Sequence, residues 1–250
     1  MLNTAMRVSP LFLGLVAATV AGGVLATVPN TVAMTTGVVL IVLGGWACSL
    51  CLHEFGHAAA AFRGGDREVR AKGYLTLDPR RYTDPVLSIV LPLLFVAIGG
   101  IPLPGGAVWI NHGALRTRRN ESFVSAAGPL MNLVIGAVLA LVVALVPMKL
   151  PLAAGLSYLA FLQIIGFVLN VLPIPGLDGY GVIEPWLSGE ARRFGEQARP
   201  WAPLILFAAI IAIPMVTQGF FAVAHQLFDV VGGSTRMAVN GDYLFRFWER

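Results

Sequence analysis

The amino-acid sequence predicts an all-α, polytopic membrane protein. Of its 250 residues, 57% are hydrophobic and only 12% are charged, whereas soluble domains carry about 25% charged residues. The apolar residues also lie in long runs, and about 20 such residues in a helix cross a bilayer, so we expect about five to six transmembrane helices. The spacers are too short for a separate folded domain, so residues 1–250 are interpreted as one unit.

Five segments are long enough to cross: Leu11–Val28, Thr31–Leu52, Ser122–Val146, Pro151–Leu172 and Pro203–Leu227. The first could be mistaken for a signal peptide. Its apolar run exceeds the usual length of about 7–15 residues and a second span follows at once, so we expect a retained helix. A sixth stretch, Pro85–Leu103, contains Pro92 and ends in glycine and proline. Its composition favours a re-entrant or β-hairpin-like segment, which a membrane tolerates only where protein buries it or it lines a cavity.

Basic residues between the apolar segments predict the orientation of the chain. The loop 63–81 is rich in Lys and Arg, and two further clusters lie around Arg118 and Arg193. Loops rich in Lys and Arg remain on the cytoplasmic side. We therefore expect a protein of the cytoplasmic membrane with all three clusters and the N-terminus on the cytoplasmic side. A single crossing by Pro85–Leu103 would break this pattern. The clusters also explain the net charge of +4 without a nucleic-acid partner.

The stretch HEFGH near the end of the second apolar segment predicts a metal site. His53 and His57 are four residues apart, which puts both imidazoles on one face of a helix. Glu54 lies between them, so the pattern is that of two zinc ligands and a general base. Zinc suits hydrolysis because it polarises a carbonyl and acidifies bound water. Cys48 and Cys51 form a CxxC pair, but we interpret them as buried side chains rather than as a second metal or redox site.

A hydrolytic zinc site needs a third protein ligand and an open position. The candidates are Asp178, His112 and His225. Asp178 is favoured because the prolines and glycines of NVLPIPGLDGYG end the preceding helix and let the carboxylate turn back towards His57. Its alternative is a turn or capping role, and the alternative for each histidine is an ordinary place at the membrane interface.

Three other residues are candidates for substrate contact. Asn132, in SAAGPLMN, is polar inside a span, so its amide could stabilise an oxyanion or contact substrate. A hydrogen bond between helices is the alternative, and Asn170 has the same two interpretations. Val108 lies in IPLPGGAVWIN, a strand-like stretch to which an unwound substrate could add as a strand. The alternative for that stretch is a plain connecting loop.

These motifs together resemble the site-2 protease family of intramembrane zinc metalloproteases. HEFGH, SAAGPLMN and NVLPIPGLDG agree with the family in order and spacing over the catalytic core, about residues 31–181. The resemblance implies one zinc ion on His53, His57 and Asp178, with Glu54 as base and the active site near the cytoplasmic side. The chain is similar to the compact bacterial branch without PDZ or CBS domains. It departs from other members at Gly176 and Leu177, where prolines are common.

The family resemblance implies cleavage of peptide bonds in or near transmembrane segments of membrane proteins. The partners would then be substrates with a transmembrane helix, within the lipid bilayer. Two alternatives are a membrane protein that transports or senses zinc and a non-catalytic relative that binds transmembrane helices. Transport predicts ionisable groups at several depths, whereas here they converge at one level. Iron or cobalt could replace zinc, and the sequence makes no prediction of oligomeric state.

Overall fold

The computed structural model describes residues 8–81 and 108–249, and most of these residues are helical. The α-helices in chain order are α1 (Pro10–Leu25), α2 (Thr31–Gly64), α3 (Glu68–Ala71), α4 (Arg118–Leu145), α5 (Leu150–Asn170), α6 (Asp178–Ile183), α7 (Gly189–Ala198), α8 (Ala202–Ala212), α9 (Pro214–Val230) and α10 (Thr235–Phe245). Single 3₁₀ turns connect several of them. The part of the chain that the structure describes contains no strand.

Among the described residues, three helices, α2, α4 and α5, are long and apolar enough to cross a membrane. They pack against one another, and α5 lies at the centre, with 83% of its most apolar window buried. Ile164, Leu162 and Leu169 of α5 are almost completely buried in the main hydrophobic cluster. The predicted all-α polytopic class is therefore confirmed.

Helix α1 packs along α2 and is shorter than a full span, with 16 residues. Ser9 caps its first turn by accepting a hydrogen bond from the Phe12 N–H. The Ser9 hydroxyl also donates to the Leu77 carbonyl, 3.0 Å away, in the loop that follows α2. The start of α1 therefore lies at the same end of the bundle as the end of α2.

The prediction of Pro203–Leu227 as one continuous span is wrong in detail. The segment forms two helices, α8 and α9, with an angle of 97° between them. The break lies at Ile213, whose backbone is extended, and Pro214 begins α9. Proline has no N–H for the helical bond and disfavours the helical conformation in the residue before it, which explains the bend. Together α8 and α9 are long and apolar enough to form one span. Counting them as one would bring the number of spans in the described residues to four.

The end of α2, the start of α4 and the region of α6 meet at one end of the bundle. Asn120 donates its side-chain amide to the Gly64 carbonyl at 3.2 Å. Ser122 donates its hydroxyl to the Val182 carbonyl at 2.7 Å. The three basic clusters predicted to lie on one side of the membrane therefore share one end of the molecule.

The predicted re-entrant or hairpin-like segment, Pro85–Leu103, lies outside the described residues. Of the predicted strand-like stretch, only Val108 onward is described. Those residues form no regular strand, although Asn111 has an extended backbone. The segment packs with Val108 and Ile110 against the hydrophobic cluster that contains Cys51 and Ala58.

Candidate metal centre

The two histidines of HEFGH lie on one face of α2, in its buried part. Their Nε2 atoms are 3.1 Å apart, and their rings meet edge to face with centroids 4.8 Å apart. Both side chains are buried among α2, α4 and α6. The spacing of four residues thus brings the two imidazoles together on one face of the helix, as predicted.

Asp178 completes the cluster from a distant part of the chain. Its two carboxylate oxygens lie 3.3 Å from His53 Nε2 and 3.5 Å from His57 Nε2. Helix α5 ends at Asn170, and Gly176 has φ of +97°, a conformation that favours glycine, so the chain turns back and α6 begins at Asp178. No capping hydrogen bond is made by a side chain at this helix start, which argues against the capping alternative.

The three side chains fit a tetrahedral metal ion. One ligand atom from each of them can be chosen so that all lie within 4.8 Å of one another, and the nearest pairs are 3.1–3.5 Å apart. A tetrahedral zinc ion with bonds of about 2.0–2.1 Å separates its ligand atoms by roughly 3.3 Å. Burial of Asp178 opposes its ionisation, but the neighbouring His57 and His53 outweigh this and hold the pKa of its carboxyl well below the usual range. The donor set is two imidazoles and an anionic carboxylate, which suits zinc.

The backbone of α4 fixes the orientation of one imidazole. His57 Nδ1 lies 2.7 Å from the Val124 carbonyl, so Nδ1–H donates and the Nε2 lone pair faces the cluster. Pro129 lies inside α4 and has no N–H to donate to the Ser125 carbonyl. One helical hydrogen bond is therefore missing next to Val124. By contrast, His53 Nδ1 is buried without a hydrogen-bond partner among the described residues.

Gly128 lets α4 approach the cluster. A Cβ atom at this position would lie 2.2 Å from His57 Nε2 and 2.6 Å from His53 Nε2. Any other residue would therefore fill the space that faces both ligand atoms. The small residues of SAAGPLMN predict that helices pack closely there. They do not predict that Gly128 faces the histidines, because the sequence does not show which face of α4 meets α2.

The cluster lines a cavity of about 450 Å³ whose walls come mainly from α2, α4, α5 and α6. Glu54 lines the same cavity, is 3% exposed, and interacts electrostatically with His53, His57 and Asp178. Val108 lines the cavity as well, and its backbone N–H is close enough to interact with the Glu54 carboxylate. The predicted base and a residue of the predicted substrate-binding stretch are thus adjacent.

Both candidate asparagines line this cavity. Asn132 is 4% exposed and makes no side-chain hydrogen bond to any residue that the structure describes, so the alternative of a bond between helices is not seen there. Asn170 donates to the Gly166 carbonyl of its own helix at 3.0 Å. Asn132 therefore has the freer amide of the two.

The two alternative histidines are not part of the cluster. His112 lines the cavity but is exposed, and it is absent from the metal-binding group found in the described residues. His225 stacks on Phe161 with ring centroids 4.6 Å apart, beside a separate cavity of about 180 Å³. Cys48 and Cys51 form no disulfide with any residue that the structure describes, and both lie outside the group.

Comparison with known proteins identifies close relatives. A protein of Mycobacterium tuberculosis named "Putative zinc metalloprotease Rip2" is 46% identical over 248 residues, which cover 97% of this chain and 95% of the relative. Its namesake in Mycolicibacterium smegmatis is 44% identical, with 99% and 96% covered. "Putative zinc metalloprotease YwhC" of Bacillus subtilis is 30% identical, with 67% of this chain and 78% of the relative covered. No family model matches the chain, and no solved structure gives a significant match.

The fold and the site define a class of multi-pass membrane protein built around a buried histidine–histidine–aspartate cluster with an adjacent glutamate. The mycobacterial relatives are named as zinc metalloproteases, and their similarity extends over nearly the full chain. The chain belongs to the site-2 protease family of zinc metalloproteases.

Proposed function

We propose that the protein is an intramembrane zinc endopeptidase that cleaves membrane proteins in or near their transmembrane segments. One observation carries the proposal: the histidine–aspartate cluster and Glu54 share a cavity walled by helices long and apolar enough to cross a membrane. A transmembrane substrate that enters between these helices would reach the cavity. Zinc is the cofactor, held by His53, His57 and Asp178.

When bound, zinc acts as a Lewis acid that polarises the scissile carbonyl and lowers the pKa of a water molecule. The residues of the chain supply the rest. Val124 holds His57 in the tautomer that presents Nε2. Glu54 accepts a proton from the attacking water as the new C–O bond forms. It returns that proton to the leaving amine nitrogen as the C–N bond breaks.

Asn132 is proposed to contact the substrate carbonyl. Its buried amide has no partner among the described residues and faces a cavity that also contains Glu54. A side-chain N–H aimed at a developing oxyanion stabilises it in a site from which water is largely excluded. Asn170 is proposed as a weaker substrate contact, because its amide N–H is already used within α5.

The function is tested with purified protein and a panel of single-span membrane proteins, using the Glu54→Gln variant discussed below as the inactive control. We expect cleavage inside or at the edge of the apolar segment, located by mass spectrometry of the products. Cleavage of soluble peptides alone, with every membrane substrate intact, would contradict the intramembrane assignment.

The segment that begins at Val108 is proposed to hold the unwound substrate. Val108, Ile110 and His112 line the cavity, while Trp109 and Asn111 face α3. This alternation is that of an extended chain. Unwound backbone in a bilayer needs replacement hydrogen-bond partners, and an extended segment beside Glu54 supplies them.

Val108→Pro is expected to lower kcat/KM about tenfold while zinc remains bound, because it removes the backbone N–H of a residue that lines the cavity with Glu54. Val108→Ala keeps that donor and is the matched control. Substrates with glycine or proline near the scissile bond should be less affected than all-leucine ones, since they unwind more easily. Equal kinetics of Val108→Pro and Val108→Ala on both kinds of substrate would leave this stretch as a connecting loop.

The active site is proposed to face the cytoplasm, in the cytoplasmic membrane. Arg67, Arg118 and Arg193 are exposed and belong to the basic clusters at one end of the bundle. Single cysteines at these positions, in a background without Cys48 and Cys51, should resist a membrane-impermeant thiol reagent in intact cells and react after lysis. A cysteine at Lys149, near the other end, is the positive control. Labelling at Arg118 from outside would overturn the assignment.

A further inference from the structure

Asp66 is a completely buried carboxylate just after the end of α2. It forms no ion pair with any Lys or Arg that the structure describes. Its two oxygens instead accept backbone N–H groups: Oδ1 from Glu68 at 2.9 Å and Oδ2 from Asn111 at 2.8 Å. Burying an ionised group is costly unless hydrogen bonds satisfy it. A neutral serine or asparagine could accept the Glu68 N–H at a lower desolvation cost, so the second bond, to Asn111, points to a further use of the carboxylate.

That use is to join two parts of the chain that are 45 residues apart. Other contacts at the same junction are exposed and therefore weaker. Asn111 donates its amide to Glu68 at 3.3 Å, and Lys72 lies over the Trp109 ring, 3.7 Å from its centroid. Exposed contacts of these kinds contribute little to stability because solvent screens them. Val108 and Ile110 also pack against the cluster of Cys51 and Ala58, but the charge-assisted bond from Asp66 is the buried polar contact that can set the position of the segment along its length.

The anchored residue is close to the catalytic base along an extended chain. Asn111 lies three residues after Val108, about 10 Å at roughly 3.3 Å per residue. Val108 lines the same cavity as Glu54, and so does Ile110, which lies between Val108 and Asn111 in the chain. Asp66 therefore binds the segment three residues after Val108, which lines the cavity with Glu54.

We propose that Asp66 is a positioning residue that holds the segment 108–112 in register with Glu54 and so selects which substrate peptide bond is cut. This inference rests on the proposed function, because the segment is taken to hold the substrate. Asp66 itself touches neither the substrate nor the metal cluster. Its loss should let the segment slide, which changes the position of cleavage as well as its rate.

Asp66→Asn tests the proposal, because the isosteric amide keeps one acceptor but turns a donor towards one of the two N–H groups. We expect kcat/KM to fall about 10–100-fold, with unchanged zinc content and with products cut at two or more neighbouring bonds instead of one. Asp78→Asn is the matched control: that carboxylate is also buried at this end, but it binds Arg80 and not the segment. It should give the wild-type products. A variant that is only less stable would give less active protein but would cleave the substrate at the same peptide bond.

A second measurement does not depend on activity. A nitroxide label on Gly113→Cys, an exposed position where a Cβ meets only Asn111 Oδ1 at 3.4 Å, reports the mobility of the segment in a background without Cys48 and Cys51. We expect the label to be more mobile with Asp66→Asn and unchanged with Asp78→Asn. If Asp66→Asn fails to fold, Asn111→Pro removes the same bond from the other side, at a φ of −83° close to that of proline.

An unchanged cleavage site or an unchanged label spectrum in a folded variant that lacks this bond overturns the proposal. If the wild-type protein cleaves no membrane substrate, the proposed function fails. The label spectra then decide the anchoring role of Asp66 on their own.

Discussion

Glu54→Gln is expected to lower the rate of peptide cleavage by roughly 10²–10⁴-fold, the usual contribution of a general acid–base group. Glutamine has nearly the same shape but cannot accept the proton of the attacking water. The zinc content should stay at the wild-type level, because Glu54 is outside the ligand group of His53, His57 and Asp178. The two measurements are turnover of a single-span substrate and elemental analysis of the same purified sample.

The matched control is Glu184→Gln. Glu184 lines the same cavity but is paired with Arg199 at 3.2 Å, away from the histidines. Its loss removes the same charge from the cavity and should change turnover by less than about tenfold, as expected for a partly exposed ion pair. Near-normal turnover of Glu54→Gln would show that another group acts as the base.

Asp178→Ala is expected to abolish both zinc binding and cleavage. The substitution removes the only carboxylate of the group and leaves two imidazoles, and a tetrahedral catalytic site needs three protein ligands. Loss of an outer-shell partner alone weakens metal binding by about 10–100-fold, so loss of a direct ligand should exceed that. Zinc affinity is measured by competition with a chelator of known strength.

His112→Ala is the companion variant. His112 was one of the two alternative third ligands in the sequence, with His225, and it lines the cavity without joining the group. It should keep full zinc occupancy. Full occupancy with unchanged affinity in Asp178→Ala would instead assign the third ligand to another residue, with His112 the first to examine.

Local patterns in the sequence predicted much of this molecule. The apolar runs predicted helices α1, α2, α4 and α5 because a membrane span is a matter of length and composition. The spacing of four residues predicted that His53 and His57 share a face, because the helical period is local. Pro214 was visible in the sequence, yet the bend of 97° between α8 and α9 was not predicted, since the apolar run continues through the break.

Only the tertiary structure decided which distant residues meet. His57 and Val124 are 67 positions apart, and Asp66 and Asn111 are 45 apart. The close fit of Gly128 against both ligand nitrogens likewise depends on how α4 lies against α2. No periodicity encodes such contacts, because they depend on the rotation and depth at which helices pack, and packing is determined by the whole set of buried side chains. The sequence by itself determined the chemistry that the chain can perform, and helix packing decided where that chemistry is assembled.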